Sequence, residues 1–381
     1  MLRKILLFAI VLIITGMIHS DSVSGYESPE METSAKSFVL MEAGTRQVVT
    51  GKNENVRVPS GALNKLMTAL IAAESMNDGF FTMDTELTAS ENAHTAGGAV
   101  IWLDAGEKIT AEELMKGLLI GNANDAAVVF AEKISGNCEK FTELMNKRAA
   151  ELGMYDTVFV SPYATDDENQ YTTAADAARL TSEISEHTEL RGIMTTWLDY
   201  IRDGRTEVAN ENALVKKYNG ITGVKAWHTE LSGWCLAASA ERNGLSYVSV
   251  VMGCDDKDNR FAAGKKLLNT GFSIYKTVVP GFFPEHMKPV KVKDGADDSV
   301  LIEADKVIPL VIPRDAESRM STVVFEPEYI EAPVREGQKI GTVGFYLDKT
   351  LLYETPLITS GQVSRNSFRK SFMKIIVKMF K

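Results

Sequence analysis

Val58-Pro59-Ser60-Gly61-Ala62-Leu63-Asn64-Lys65-Leu66-Met67-Thr68-Ala69-Leu70 sets Ala62 and Lys65 three residues apart at the head of an apolar, helix-forming run. Apolar spacing predicts a helix over 66–76. Residues i and i+3 share a helix face, so the side chains at 62 and 65 are neighbours. Ser60 lies five residues before Lys65, about 500° around a helix instead of 300°, and it falls ahead of the helix.

On either side of this run, short strands are expected at 37–40 and 47–50, around the turn Glu42-Ala-Gly-Thr. Helical patterns recur at 111–120, 124–133, 141–153, 174–187 and 261–275, and apolar β-rich runs at 236–240 and 247–252 read as core strands. Strands cluster at both ends of this segment with helices between them, which is an α+β pattern and not a βαβ alternation. After Pro280 the texture changes. Prolines 284, 289, 309, 313, 327 and 333 punctuate short alternating segments, the mark of a small all-β domain. The expected organisation is a polar lead-in at 26–36, a first domain at 37–278 and a β domain at 285–360.

The ends of the chain are different in kind. Arg3 and Lys4 precede an apolar run from Ile5 to Ile18, followed by small residues. That order reads as a secretory signal over about 1–25, too short for a membrane span of about 20 residues. At the other end, Phe368, Phe372, Ile375, Ile376, Met379 and Phe380 fall on one helical face, with Lys370, Lys374, Lys378 and Lys381 opposite. Residues 364–381 therefore read as an amphipathic helix lying on an anionic membrane surface. The alternative is a helix docked on its own β domain.

The formal charge of −10 argues against nucleic-acid binding, which needs a basic footprint. The 45% hydrophobic content is enough for a substantial core. Cys138, Cys235 and Cys254 fit no zinc pattern and read as buried small hydrophobes. A Cys235–Cys254 disulfide stays open as an alternative. No cofactor and no metal are expected.

Five ordered stretches resemble the low-molecular-weight penicillin-binding proteins of the serine D-alanyl-D-alanine carboxypeptidase type (peptidase S11). They are 58–70, Leu103-Asp-Ala-Gly-Glu-Lys-Ile-Thr, Gly117-Leu-Leu-Ile-Gly-Asn-Ala-Asn-Asp-Ala-Ala, Met145-Asn-Lys-Arg-Ala-Ala-Glu-Leu-Gly-Met and Asn219-Gly-Ile-Thr-Gly-Val-Lys-Ala-Trp-His-Thr. The resemblance implies a penicillin-recognising, β-lactamase-like domain followed by the β domain and tail. It also implies acyl transfer through Ser-x-x-Lys, Ser-x-Asn and Lys-Thr-Gly motifs.

The matching positions here read Ala62-Leu-Asn-Lys65, Asn122-Ala123-Asn124 and Lys225-Ala226-Trp227. A methyl group at 62 cannot form an ester. Lys65 and Asn124 are the retained catalytic positions and Lys225 the retained substrate-binding one. Trp227 puts an indole where the family has glycine. Asn64 replaces the usual threonine, and Ser161-Pro162-Tyr163-Ala164 replaces Asn-Pro-His-Gly. Without its serine, Lys65 is expected to pair with a carboxylate or with Asn124. Ser135-Gly136-Asn137 spells the second motif in the wrong context and reads as a turn.

Three functions follow. The first is an inactive binding or regulatory cell-wall protein, meeting peptidoglycan stem peptides through Lys225 or another wall protein. The second is an active carboxypeptidase with a non-standard nucleophile. The third is a structural wall or membrane protein. Each would work outside the cytoplasm, peripheral to the membrane.

Overall fold

The computed structural model describes residues 31–165, 167–280 and 288–366. The expected signal segment and the tail from residue 367 onward lie outside the described residues. Among the described residues, no helix is long and apolar enough to cross a membrane.

The fold is α+β. Its centre is a five-stranded antiparallel sheet in the order Val48–Lys52, Ser37–Glu42, Leu245–Cys254, Gly233–Arg242, Ile221–Thr229. Phe38 pairs with Val251, Leu236 with both Val251 and Ala226, and Lys225 with Ala237. Side chains alternate across a strand, and both faces of this sheet are covered. Helix Lys257–Ile274 packs on one face, where Ala226, Leu236, Leu267 and Leu268 are buried together. Helices Leu63–Asn77, Ala111–Leu119, Asn124–Ser135 and Ala174–Glu186 build the larger core on the other, with Val39, Trp227 and Ala237.

Local chemistry explains where these helices start and stop. Thr110 and Glu113 form a reciprocal capping box at Ala111–Leu119, which satisfies two otherwise unpaired N–H groups. Ser135-Gly136-Asn137 is a helix-to-helix turn, as read from its composition. Gly136 ends one helix at φ +83°, and the Asn137 side chain caps the next by accepting from Lys140 N at 2.9 Å. The lead-in is less loose than its polarity suggested. Met31 and Ala35 are buried in the core beneath Lys257–Ile274.

The C-terminal domain is all-β. A four-stranded sheet runs Ile302–Ala304, Thr350–Thr359, Lys339–Leu347, Met320–Phe325, beside a three-stranded sheet of Ser299–Val300, Val290–Lys293 and Tyr329–Glu331. Its core includes Val292, Val343, Phe345, Leu357 and Val363. Residues 363–366 still belong to this domain. Val334 and Val363 exchange backbone bonds, and Asn366 N donates to Asp294 O at 2.7 Å.

Candidate functional site

Helix Leu63–Asn77 begins directly after Ala62, which occupies the N-cap position without a side-chain cap. The helix therefore starts a turn earlier than its apolar spacing indicated. Ala62 and Lys65 lie at its buried head, each no more than 3% exposed. The Lys65 amine donates to the backbone carbonyl of Asn122 and, at 3.2 Å, to Asn122 Oδ1. Asn122 has φ +62°, a left-handed backbone that asparagine tolerates better than most residues. The partner of Lys65 is thus Asn122, and not Asn124 or a carboxylate. Asn124 is turned the other way: its Nδ2 donates to Gly97 O at 2.6 Å, and its Oδ1 is buried without a partner.

Burial drives Lys65 well below the usual lysine range. A second buried cation, Lys225, pushes the same way, while Glu211 and Asp125 oppose. Lys225 stands on strand Ile221–Thr229, 2% exposed. Its amine donates to Leu118 O and Leu119 O, both at 3.2 Å. Those carbonyls end helix Ala111–Leu119, and the negative end of a helix dipole favours a cation there. Burial still lowers Lys225 to about 8, with Glu211 opposing. Lys225, expected as a substrate-binding cation, is buried and turned toward a helix end.

Trp227 shares the face of Lys225 and is fully buried. A Cβ built on Gly61 would lie 2.5 Å from Trp227 Nε1, 2.7 Å from its Cδ1 and 3.0 Å from Ser232 Oγ. The indole therefore occupies the space beside residues 61 and 62. Ala226 points to the opposite core. His228 is exposed, its ring 4.2 Å from that of Trp234.

Ser60 is fully buried and donates to Asn64 Oδ1 at 3.2 Å. Asn64 in turn holds the 161–170 segment. Its Nδ2 donates to Ser161 O at 2.7 Å, Tyr163 O at 3.2 Å and Gln170 Oε1 at 2.6 Å. The amide has two N–H groups, which these three acceptors share, whereas a threonine hydroxyl would offer one. Cys235 and Cys254 are both free thiols and sit in the cores on opposite faces of the sheet, whereas Cys138 is half-buried.

Two supporting residues had no motif to announce them. Asp125, 1% exposed, accepts from Ile101 N and Leu103 N at 3.1 Å and anchors the loop beside the second motif. Its place next to Asn124 was the only signal. Arg260 is fully buried and donates to Trp227 O at 2.7 Å. It lies on a helix whose sequence pattern marks nothing at that position.

The arrangement contains a buried amine pair and amide groups, but no hydroxyl bonded to the Lys65 amine. Serine acyl transfer needs a hydroxyl within reach of a base.

Comparison with known proteins agrees with this scaffold. A family model for D-alanyl-D-alanine carboxypeptidase matches residues 23–256, and one for the penicillin-binding protein 5 C-terminal domain matches 282–365. The chain is 32% identical over 348 residues to the D-alanyl-D-alanine carboxypeptidase DacF of Bacillus subtilis, covering 90% of each chain. It is 26% identical to DacA of Escherichia coli, covering 91% of this chain and 88% of the relative. Penicillin-binding protein 5 from Haemophilus influenzae superposes with a TM-score of 0.81 at 28% identity, over 89% of this chain and all of that one. With the fold, both domains and this degree of identity in agreement, the chain belongs to the D-alanyl-D-alanine carboxypeptidase family, peptidase S11, of low-molecular-weight penicillin-binding proteins.

Proposed function

We propose that this protein is a non-catalytic cell-wall protein that keeps the carboxypeptidase scaffold without its acyl-transfer chemistry. It engages peptidoglycan, or another wall protein, without cleaving it. The observation that carries this reading is the environment of Ala62. A methyl stands at the helix head, the Lys65 amine is spent on Asn122, and the Trp227 indole fills the space alongside. Removing the nucleophile of a comparable catalytic set leaves only about 10³–10⁴-fold over water.

The signal-like segment at 1–25 supports export, and the basic, amphipathic run from residue 367 supports attachment to the outer face of the cytoplasmic membrane. Lys65, Asn124 and Lys225 act in this reading as internal structural groups inherited from the catalytic site. Contact with the wall is then made by the surface and not through Lys225.

Incubation of purified protein with a fluorescent penicillin tests the proposal, alongside D-Ala release from a stem pentapeptide. The expected result is no covalent band and no release above a buffer blank, while an active relative labels normally. A band mapping to Ser60 or any other hydroxyl sinks the proposal and returns the active reading.

A further inference from the structure

Trp102 is the most exposed tryptophan in the described chain, at 77%, and its backbone sits at φ +56°. A bulky residue in that region is strained and persists only where the surroundings hold it. Here they hold it from both sides. The buried Asp125 carboxylate takes the N–H groups of Ile101 and Leu103. Arg202 donates to Ile101 O at 2.7 Å and Trp102 O at 3.2 Å, and is itself paired with Glu107 at 2.6 Å. Ile101 and Leu103 are buried, so the indole between them has no choice but to face outward.

The chain just before it is a shelf. Gly97, Gly98 and Ala99 are exposed and carry nothing larger than a methyl. Asn124 fixes the shelf, donating through Nδ2 to Gly97 O at 2.6 Å and through its backbone N to Ala99 O at 2.7 Å. Gly98 lies at φ +81°, and a Cβ there would come within 2.8 Å of Asn124 Nδ2. The exposed indole and the bare ledge, three residues apart in the chain, are thus tied to consecutive residues of one helix start, Asp125 and Asn124. Beyond Trp102, Asp104, Ala105 and Gly106 are exposed, so the apolar patch is about one ring wide. That falls far short of the roughly 800 Å² that each partner contributes to a stable protein interface. It suits a ligand with an apolar ring face and polar edges.

We infer that Trp102 and the 97–99 shelf form a carbohydrate site that stacks an N-acetylated sugar ring of a glycan strand. The apolar C–H face of the sugar lies on the indole, and the hydroxyl and acetamido edges meet the exposed backbone of the shelf. The inference rests on the proposed role at the wall. It supplies that role with a contact that needs neither a nucleophile nor an open cleft.

Calorimetric titration of the full chain with chitotetraose, which carries no stem peptide, is the test. Saturable binding is expected. Trp102→Gly should weaken it at least about tenfold without lowering Tm, because glycine relieves the positive φ. Trp102→Tyr should retain binding, and Tyr155→Ala, at an aromatic 81% exposed elsewhere, should leave it unchanged. The inference is overturned if wild type does not bind, if Trp102→Gly binds equally well, or if Trp102→Gly lowers Tm and so marks the indole as structural. Because the ligand carries neither a stem peptide nor a β-lactam, failure here leaves the penicillin-labelling result standing, and a labelled band there leaves a sugar titration standing.

Discussion

Trp227 Nε1 lies 2.5 Å from where a side chain on Gly61 would begin. The third motif is thereby packed directly against the entry to the first. Gly61 is at φ +55°, so both its backbone conformation and its contact with the indole demand glycine. The indole is a component of the core of this domain, and removing it should behave accordingly. Trp227→Ala is expected to cost about 3–5 kcal/mol, the range for a large aromatic truncated in a close-packed core. Urea unfolding measures it. A loss below about 1 kcal/mol would mean that the ring merely covers an open groove.

Restoring the hydroxyl alone should not restore chemistry. In Ala62→Ser the new Oγ would share the helix head with an amine already bonded to Asn122 and a space already filled by Trp227. No covalent penicillin band is expected from this variant. Strong labelling would show that the loss of serine is the sole defect.

Lys225 makes stability depend on pH in a defined direction. Burial lowers its pKa from 10.5 to about 8. Between those values the unfolded chain binds more protons than the folded one, so this residue makes stability rise with pH across that window. The difference corresponds to about 3 kcal/mol. Cys235, raised to about 12 by burial, acts oppositely above the thiol's ordinary pKa of 9.0 but is common to both proteins compared. Wild type should gain more stability between about pH 7.5 and 10.5 than Lys225→Met, a difference that also contains the relief of Lys65 when its neighbouring cation is removed. Identical pH slopes in the two proteins would refute the assignment.

Asn64 is expected to matter through the acceptors that share its two N–H groups. Asn64→Ala leaves Ser161 O, Tyr163 O and Gln170 Oε1 without this donor in a buried setting. A cost of about 2–3 kcal/mol is expected, with amide exchange rising near Tyr163 and Gln170. Unchanged exchange there would show that the segment is held by other contacts.

Membrane attachment should depend on the chain beyond Asn366. A cut at 362 would remove Val363, which is 3% exposed in the β-domain core, and would confuse unfolding with release. A chain ending at Asn366 keeps the Asp294 contact and loses the basic amphipathic run. It is expected to stay folded and fail to sediment with anionic vesicles. Retention on vesicles would place the anchor elsewhere.

Residue identities alone established the α+β architecture, the family and the missing hydroxyl at Ala62. Apolar periodicity places a helix face or a strand without reference to the rest of the chain, and a methyl group is inert in any surroundings. Partners were another matter. Sequence spacing placed Lys65 on the correct face of its helix but could not show that Asn122, turned by a left-handed backbone, would meet its amine ahead of Asn124. Nor could it show that Lys225 would point into the carbonyl end of helix Ala111–Leu119, or that Arg260 would grip the carbonyl of Trp227. Nothing in the sequence marked Trp102, which Asp125 and Arg202 clamp outward through its neighbours and its carbonyl. Periodicity says which way a side chain leaves its own backbone. What it meets depends on segments tens to hundreds of residues away, and only their packing decides whether a cation is exposed or buried and whether an indole lies in the core or in solvent.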